Sequence, residues 1–281
     1  MKNNRIIIIA TIAILLLISY TIYKVYIGRN KIVDYSKNLN VYAFDVGKAD
    51  SFLIRKDDSV IMIDTAEERD STKIISYLNA NDINQIDYLI ITHFDKDHVG
   101  SAAKIIETID VKHVLHSNVP KDSEYYKKYI EELKDKDITP VEVTNNYTFE
   151  LAGVSYYVIG PKKVYEKKSS NNSSLIVDIN YKNNNLLFMG DAMDDRIKDF
   201  IDTNKKTYDF IKIPYHGNFQ KTLMDLLEDT NPKYAIVSSS KDKEDEELIN
   251  LLKYKGIKYY LTRTGDKMIS FDGNNIYVEE Y

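Results

Sequence analysis

Residues 92–100 read THFDKDHVG and set two histidines and two aspartates between positions 93 and 98. The whole chain has five histidines, so two in one short loop is a concentration that asks for a chemical reason. Imidazole nitrogens and carboxylate oxygens together suit zinc, manganese or iron. The set His93, Asp95, Asp97 and His98 is more acidic and more numerous than a closed structural zinc site needs, which points to two ions. A solvated loop with helix-capping acids would use the aspartates but gives the histidines no work.

The neighbouring segments show what must position these side chains. IDYLIIT, just upstream, is a continuous apolar run, the mark of a strand buried on both faces, and its carboxyl end carries His93 to the rim of a sheet. HVGSAAKIIETI then reads as a helix opened by Asp97 and His98. Further upstream VYAFDV, SFLIRK and SVIMID read as strands, with a turn at Asp57-Asp58 and the third strand ending on Asp64. DSTKIISYLNAN has helical spacing, and VKHVLHS reads as another strand. Strands alternating with helices mean helices packed on a sheet.

The second part of the chain repeats this order. DYLIITH, residues 87–93, matches DFIKIPYH, residues 209–216, each an apolar strand ending on a histidine. SFLIRKDDSVIMIDTA matches SSLIVDINYKNNNLLFMGDA, each a strand, a polar turn and a strand ending on an aspartate, Asp64 or Asp191. The expected fold is therefore α/β, two similar halves of residues 41–168 and 169–281 stacked sheet to sheet. Strand ends from both would meet at one edge.

Composition bounds the rest. A hydrophobic content of 43% can build a full core, and the net charge of −5 gives no sign of a bulk polyanion binder. Cysteine is absent, which excludes disulfides, thiolate nucleophiles and thiolate metal ligands. Residues 6–23, IIIIATIAILLLISYTIY, carry no charge and are long enough to cross a bilayer as a helix. A cleaved signal peptide is the rival reading, but no small-x-small site follows the run. The expected organisation is a membrane anchor over residues 1–27, a polar linker over 28–40 and one domain over 41–281. A short amino-terminal tail held inside puts that domain outside the cell, on a single-pass anchor in the lipid bilayer.

The HxDxDH stretch resembles the signature of the metallo-β-lactamase superfamily, whose commoner form is HxHxDH. The form here is closer to that of the soluble domain of ComEC-type competence proteins and their stand-alone relatives. The resemblance spans residues 41–281: FDVGKADSFLI, MIDTA, NNSSLIV, FMGDA, IPYHGN and TRTGD follow in the family's order. It implies an αββα sandwich with its metal site at the edge between halves. It also implies that His93 and Asp95 hold one metal and that Asp97 and His98 hold the second. Asp191 would bridge both, and His216 would complete the second site. Asp64 would brace the ligand loop by hydrogen bonds. Two departures stand out. Tyr215 occupies a place where ComEC-like proteins often have another histidine. The separate third-motif histidine is missing from SSNNSSL, leaving Asn171, Asn172 or His116 to compensate. His113, three residues before His116 on a strand, should face the other way. The implied cofactor is one or two divalent ions, zinc first and manganese second.

Such a site would activate a water to hydroxide at physiological pH, with Asp97 orienting it. Tyr215, Lys212 or the Asn171-Asn172 pair would donate hydrogen bonds to the developing charge. Lys162, Lys163, Lys167 and Lys168 crowd the run before NNSSL and would grip a phosphate chain, although a solvated loop carries the same residues. The expected function is a membrane-anchored metal-dependent hydrolase of phosphodiesterase or nuclease type, acting on DNA or another phosphodiester polymer. The alternatives are hydrolysis of another ester, amide or lactam bond, and a metal-poor binding or accessory module.

Overall fold

β1 (Leu39–Ala43) buries positions 39, 41 and 43 fully and the two between them only in part. That alternation is the period of a strand with one face against a core. β2 (Ser51–Lys56), β3 (Ser59–Thr65), β4 (Gln85–Ile91), β5 (Asp110–Ser117) and β6 (Val141–Val143) follow. Four helices lie among them: α1 (Ser71–Ala80), α2 (Lys96–Val99), α3 (Ala102–Thr108) and α4 (Glu124–Asp135). The chain continues through β7 (Asn146–Leu151), β8 (Val154–Ile159), β9 (Ile176–Tyr181), β10 (Asn184–Phe188), α5 (Asp194–Ile201), β11 (Phe210–Lys212) and α6 (Thr222–Thr230). It ends with β12 (Tyr234–Val237), α7 (Glu246–Tyr254), β13 (Lys258–Leu261), β14 (Lys267–Phe271) and β15 (Ile276–Glu280). This computed structural model describes residues 35–163, 165, 170–240 and 245–281. The anchor segment therefore lies outside the described residues, as do Lys167 and Lys168. Among the described residues no helix is long and apolar enough to cross a membrane.

The strands form two sheets, in the orders β15-β14-β1-β2-β3-β4-β5-β6 and β13-β12-β11-β10-β9-β8-β7. β2 to β5 and β9 to β12 repeat one pattern: an antiparallel pair followed by two parallel neighbours. The halves are not contiguous, however. β7 and β8 lie before residue 168 yet belong to the second sheet, and β14 and β15 return to pair beside β1 in the first. A contiguous cut misses this because sequence shows a strand's pattern but not the edge it finds. β1 had one edge on β2, and its other edge takes β14 in antiparallel register, Leu39 opposite Phe271.

Phe52, Phe188, Phe210 and Phe271 run between the sheets, with successive ring centroids 5.4, 5.6 and 5.8 Å apart. α1, α3 and α4 cover the outer face of the first sheet through Ile74, Leu78, Ile105, Ile106, Tyr129 and Leu133. α5, α6 and α7 cover the second through Ile197, Phe200, Leu223, Leu226, Leu248 and Leu252. Each such buried side chain contributes about 1.5–3 kcal/mol, so the frame holds independently of any single residue at its rim. The helix expected over HVGSAAKIIETI breaks at Gly100-Ser101. A side chain at Gly100 would meet the Lys96 and Ala66 carbonyl oxygens at 2.3 and 2.7 Å, and Ser101 donates through Oγ to the Glu67 carbonyl at 2.5 Å. The break docks the metal-loop segment onto the end of β3.

Candidate metal centre

The cluster is assembled from strand ends in both sheets. At the end of β3, Asp64 adopts a left-handed backbone (φ 55°), a conformation that a non-glycine residue holds only when its surroundings demand it. Its carboxylate supplies the demand. Oδ1 accepts from the Thr92 backbone N–H at 2.7 Å, and Oδ2 accepts from Thr92 Oγ1 at 2.7 Å and faces His98 Nδ1 at 2.8 Å. The ends of β3 and β4 are thus tied, and α2, a single turn, presents His98 inward. Asp95 holds the N-cap position of α2 without making a side-chain cap bond, so its carboxylate is turned to other partners.

From the second sheet, Gly190 (φ 52°) turns the chain after β10. A Cβ there would lie 2.9 Å from Ser174 Cβ and 3.1 Å from Thr92 Cβ, which is why glycine stands between the two halves. Asp191 follows, its backbone N–H donating to Ser174 Oγ at 3.1 Å. Past β11, Tyr215 and His216 are both left-handed (φ 51° each). Two such residues in succession reverse the chain and aim His216 at Asp191.

His216 Nε2 lies 3.1 Å from Asp191 Oδ2 and 3.2 Å from Asp97 Oδ2; His98 Nε2 lies 3.4 Å from Asp191 Oδ1. His93 Nε2 is 3.8 Å from Asp95 Oδ1, and the His93 and His98 rings are 4.0 Å apart. His93 Nε2, His98 Nε2, His216 Nε2 and Asp191 Oδ1 are buried and have no hydrogen-bond partner. An unsatisfied buried polar atom costs about 1–3 kcal/mol. His98, His216 and Asp191 offer ligand atoms within 4.8 Å of one another, and two imidazole nitrogens with a carboxylate oxygen left so fit a divalent cation.

The electrostatics agree. Burial, with the His98 charge second, pulls His93 down to about 3, so its ring is neutral and ready to ligate. Burial also opposes charge on His216, but Asp191 and then Asp50 outweigh it and push that ring up to about 10. His98 is raised well above its ordinary value, Asp191 and Asp64 overcoming its burial. Asp97 is desolvated, yet the His216 ring 3.2 Å away and the His98 charge bring it down to about 2. Protons on His98 and His216 thus balance the buried acids in the metal-free chain, and a bound cation would take over that work.

The structure brings His93, Asp95, Asp97, His98, Asp191 and His216 to one rim, with Asp64 behind His98. It does not bring His116 there: its Nδ1 is 3.1 Å from Tyr129 Oη and its ring packs edge-on against Phe94, beneath α4. His113 is exposed beside Tyr88. Asn172 Oδ1 accepts from the Met193 N–H at 3.0 Å and Asn171 Nδ2 faces Met193 Sδ at 3.7 Å, so both hold the loop after Asp191. The Tyr215 ring sits 5.7 Å from Lys48 Nζ. Lys162 Nζ donates to Thr203 Oγ1 at 2.8 Å and Lys163 pairs with Asp199 at 3.1 Å, so both bind the far end of α5. Lys121, Ser170, Ser174 and Asp50 carry no role in the motif reading, and Lys212, expected to donate to the developing charge, is turned to Asp50 instead. Lys121 Nζ lies 2.6 Å from Asp95 Oδ1, an oxygen that also accepts from Ser170. Ser174 Oγ faces His93 Nδ1 at 3.3 Å. Asp50, with Lys212 against it, joins His98, Asp191 and His216 in one group of potential ligands. The signal for Asp50 was its place in FDVGKADSFLI, an acid set directly before an apolar strand.

A donor cluster between the strand ends of two helix-covered sheets defines the metallo-β-lactamase class. Residues 44–241 match the Metallo-beta-lactamase superfamily profile, and the chain belongs to that superfamily. It is a hydrolase fold with a candidate divalent metal centre. Over 199 residues it is 25% identical to "ComE operon protein 3" of Bacillus subtilis (strain 168), covering 67% of this chain and 25% of that protein. Over 206 residues it is 24% identical to "Recombination protein 2" of Haemophilus influenzae, covering 72% of this chain and 24% of that one. The chain therefore spans about a quarter of the length of the curated relatives it matches. These matches support the ComEC-like resemblance of the motifs. The crystal structure of the metallo-β-lactamase fold protein YhfI from Bacillus subtilis shares the fold, with a TM-score of 0.57 at 9% identity over 86% of this chain and 100% of that one.

Proposed function

We propose that this chain is a membrane-anchored phosphodiesterase of nuclease type that cleaves DNA or another phosphodiester polymer at the outer cell surface, using one or two divalent ions, with zinc the favoured metal and manganese the alternative. One observation carries the reading: a cluster of unpartnered buried ligand atoms opens where lysines stand. Lys121 is at Asp95, and Lys48 is beside Tyr215 and Asn218. Cations beside a metal-ligating rim attract an anionic backbone. The name of one relative, Recombination protein 2, points to a nucleic acid as well.

His98, Asp191 and His216, with Asp97 at the opening, would hold an ion, and His93 with Asp95 would hold a second. When bound, such an ion supplies Lewis acidity and a water acidified toward neutrality. The residues do the rest. Asp97, a quarter exposed, accepts a hydrogen bond from the attacking water and orients it. Lys121 and Lys48 hold the phosphate, and the closed floor beneath His93 keeps bulk water from behind the site.

A second reading has its own observation. Asp95 is already engaged by Lys121 and Ser170, as it would be in a metal-poor accessory module. The test is a metal-supplemented assay of the purified chain against single-stranded DNA, bis-p-nitrophenyl phosphate and nitrocefin, with metal content measured in parallel. Cleavage of the first two supports the proposal. Cleavage of nitrocefin alone favours lactam or ester hydrolysis, and a chain that takes up no metal is the accessory module. For the anchor, the full-length protein should stay in the membrane fraction through a high-salt wash, and protease added to intact cells should degrade the domain.

A further inference from the structure

Asp50 is as buried as a core leucine, 1% exposed, and so is its partner Lys212. Its backbone is fixed on both sides: the N–H donates to the Asp97 carbonyl at 3.0 Å, and the carbonyl accepts from the Ala66 N–H at 2.8 Å. One carboxylate oxygen, Oδ2, is taken by Lys212 Nζ. The other, Oδ1, faces His216 Nδ1 at 3.5 Å. Both of those atoms are buried and, among the described residues, neither has another hydrogen-bond partner, so each is placed to satisfy the other.

Resting on the metal-dependent reading above, we propose that Asp50, held by Lys212, is a positioning residue for His216: it receives the proton of Nδ1, so that Nε2 is the nitrogen presented to the metal. The geometry separates this from a role as ligand. Asp191 meets His216 and His98 on their Nε2 edges, at 3.1 and 3.4 Å. Asp50 meets the same two rings on their Nδ1 edges, at 3.5 and 3.9 Å. The two nitrogens of an imidazole point apart, so one ion cannot sit on both edges. Asp50 is therefore behind the rings and Asp191 in front. The arrangement also duplicates the one at His98, where Asp64 stands behind Nδ1 at 2.8 Å. A ligating histidine that gives its other N–H to a carboxylate has its tautomer and orientation fixed and its basicity raised.

Lys212 explains how the acid is tolerated so close to Asp64 and Asp191. A buried carboxylate without a partner is costly, and the ammonium group supplies the partner. The same Nζ donates to the Gly190 carbonyl at 2.9 Å and lies 3.6 Å from Asp191 Oδ1. Asp50 directly precedes β2 of the first sheet and Lys212 ends β11 of the second, four residues before His216. The pair therefore sets the two halves of the centre against each other.

Two double variants of the full chain isolate the acceptor from the charge. Asp50→Asn/Lys212→Met removes both charges and keeps an oxygen for the Nδ1 proton; Asp50→Leu/Lys212→Met removes that oxygen too, at nearly the same shape. Zinc affinity is measured by chelator competition, and the His216 Nδ1–H hydrogen bond by 15N NMR and its solvent exchange in the metal-free chain. The Asn variant should bind within a few-fold of wild type and keep Nδ1–H. The Leu variant should bind about 10–100-fold more weakly and lose the hydrogen-bonded, slowly exchanging Nδ1–H signal. Equal losses in both variants would mean that Asp50 ligates the metal or acts through charge alone, and no loss in a folded Leu variant would mean that it only packs; either overturns the proposal. Should the Leu variant not fold, a loss in the Asn variant as large as that of Asp191→Ala overturns it as well. A wild type that binds no zinc would sink the hydrolase reading, while the metal-free Nδ1–H signal still tests the brace.

Discussion

Asp64 Oδ2 stands 2.8 Å from His98 Nδ1 while the same carboxylate takes two hydrogen bonds from Thr92, so a single buried acid both orients a ligand and clamps two strand ends. Asp64→Ala should therefore lose on both counts: lower thermal stability without metal, and zinc affinity down about 10–100-fold. Thr92→Val removes the hydroxyl from Asp64 Oδ2 and from His93 Nδ1, which it faces at 3.2 Å, and leaves both the Asp64–His98 contact and the Ser174 Oγ partner of His93 in place. It should cost about 1 kcal/mol and leave zinc affinity close to wild type. Calorimetry and chelator competition on both variants check the pair; equal zinc affinities would mean that Asp64 is only a clamp.

Removing the ligands should separate function from fold. Asp97 lies in the first turn of α2, where an acid is worth about 0.3–1 kcal/mol, little beside the 5–15 kcal/mol or so that holds a domain together. Asp97→Ala should keep its circular dichroism and lose at least about a hundredfold in rate on a phosphodiester. His216→Ala should lose as much, though it lies in the other half of the chain. His113→Ala, exposed beside Tyr88, should stay near wild type. Full activity in Asp97→Ala, or equal inactivity in His113→Ala, would show that the centre is elsewhere.

What could be read from the chain beforehand follows from what is local. The apolar run into His93, the Asp57-Asp58 turn and the repeated strand pairs are patterns in a few neighbouring residues, and they stand in the structure as read. The exchange of β7, β8, β14 and β15 between sheets depends on edge pairing over long separations, which no local pattern records. The same holds within the centre. HFDKDH shows its ligand types in one loop. Asp50, Ser174 and Lys121 come from three other segments and acquire meaning only through contact, and Lys212, read as a donor to the developing charge, is held by Asp50 and the Gly190 carbonyl. His116 was plausible on strand position alone, but the face of β5 it occupies belongs to the helix layer and to Tyr129.

Metal uptake should be stepwise, because the two sides of the cluster are not equally free. His98, Asp191 and His216 offer unpartnered atoms, whereas Asp95 is shared with Lys121 and Ser170. One ion should bind tightly and a second weakly. Lys121 is 38% exposed, and ion pairs of that kind are worth about 0.2–1 kcal/mol. Lys121→Met should therefore tighten the weaker step by a few-fold and barely move stability. Isothermal titration with zinc reads both constants. A wild type with two equal sites, or a variant with an unchanged second constant, contradicts the asymmetry.

The metal-free protein should be most stable near pH 6.5. His216 is raised from 6.5 to about 10, mainly by Asp191 working against burial, and His98 is raised as well. A raised folded value gives stability that is complete below 6.5 and drains away as pH climbs through 10. His93 runs the other way. Its folded value of about 3 is depressed by burial, so acid protonates the unfolded chain first and stability falls from 6.5 downward. Asp97, held at about 2 by His216 and His98 against burial, adds to the acid loss below its unfolded value of 3.8. Asp64, raised by burial, opposes part of that loss in the same acid range. Saturating zinc should flatten the alkaline limb, because ligation removes the protons whose loss causes it, and apparent zinc affinity should rise with pH as those protons are released. Melting temperatures of chelator-stripped and zinc-loaded chain between pH 4 and 10 give the comparison. A metal-free melting temperature that keeps climbing from pH 7 to 9 would mean that His98 and His216 carry no protons there, and the charge balance assigned to the centre would be wrong.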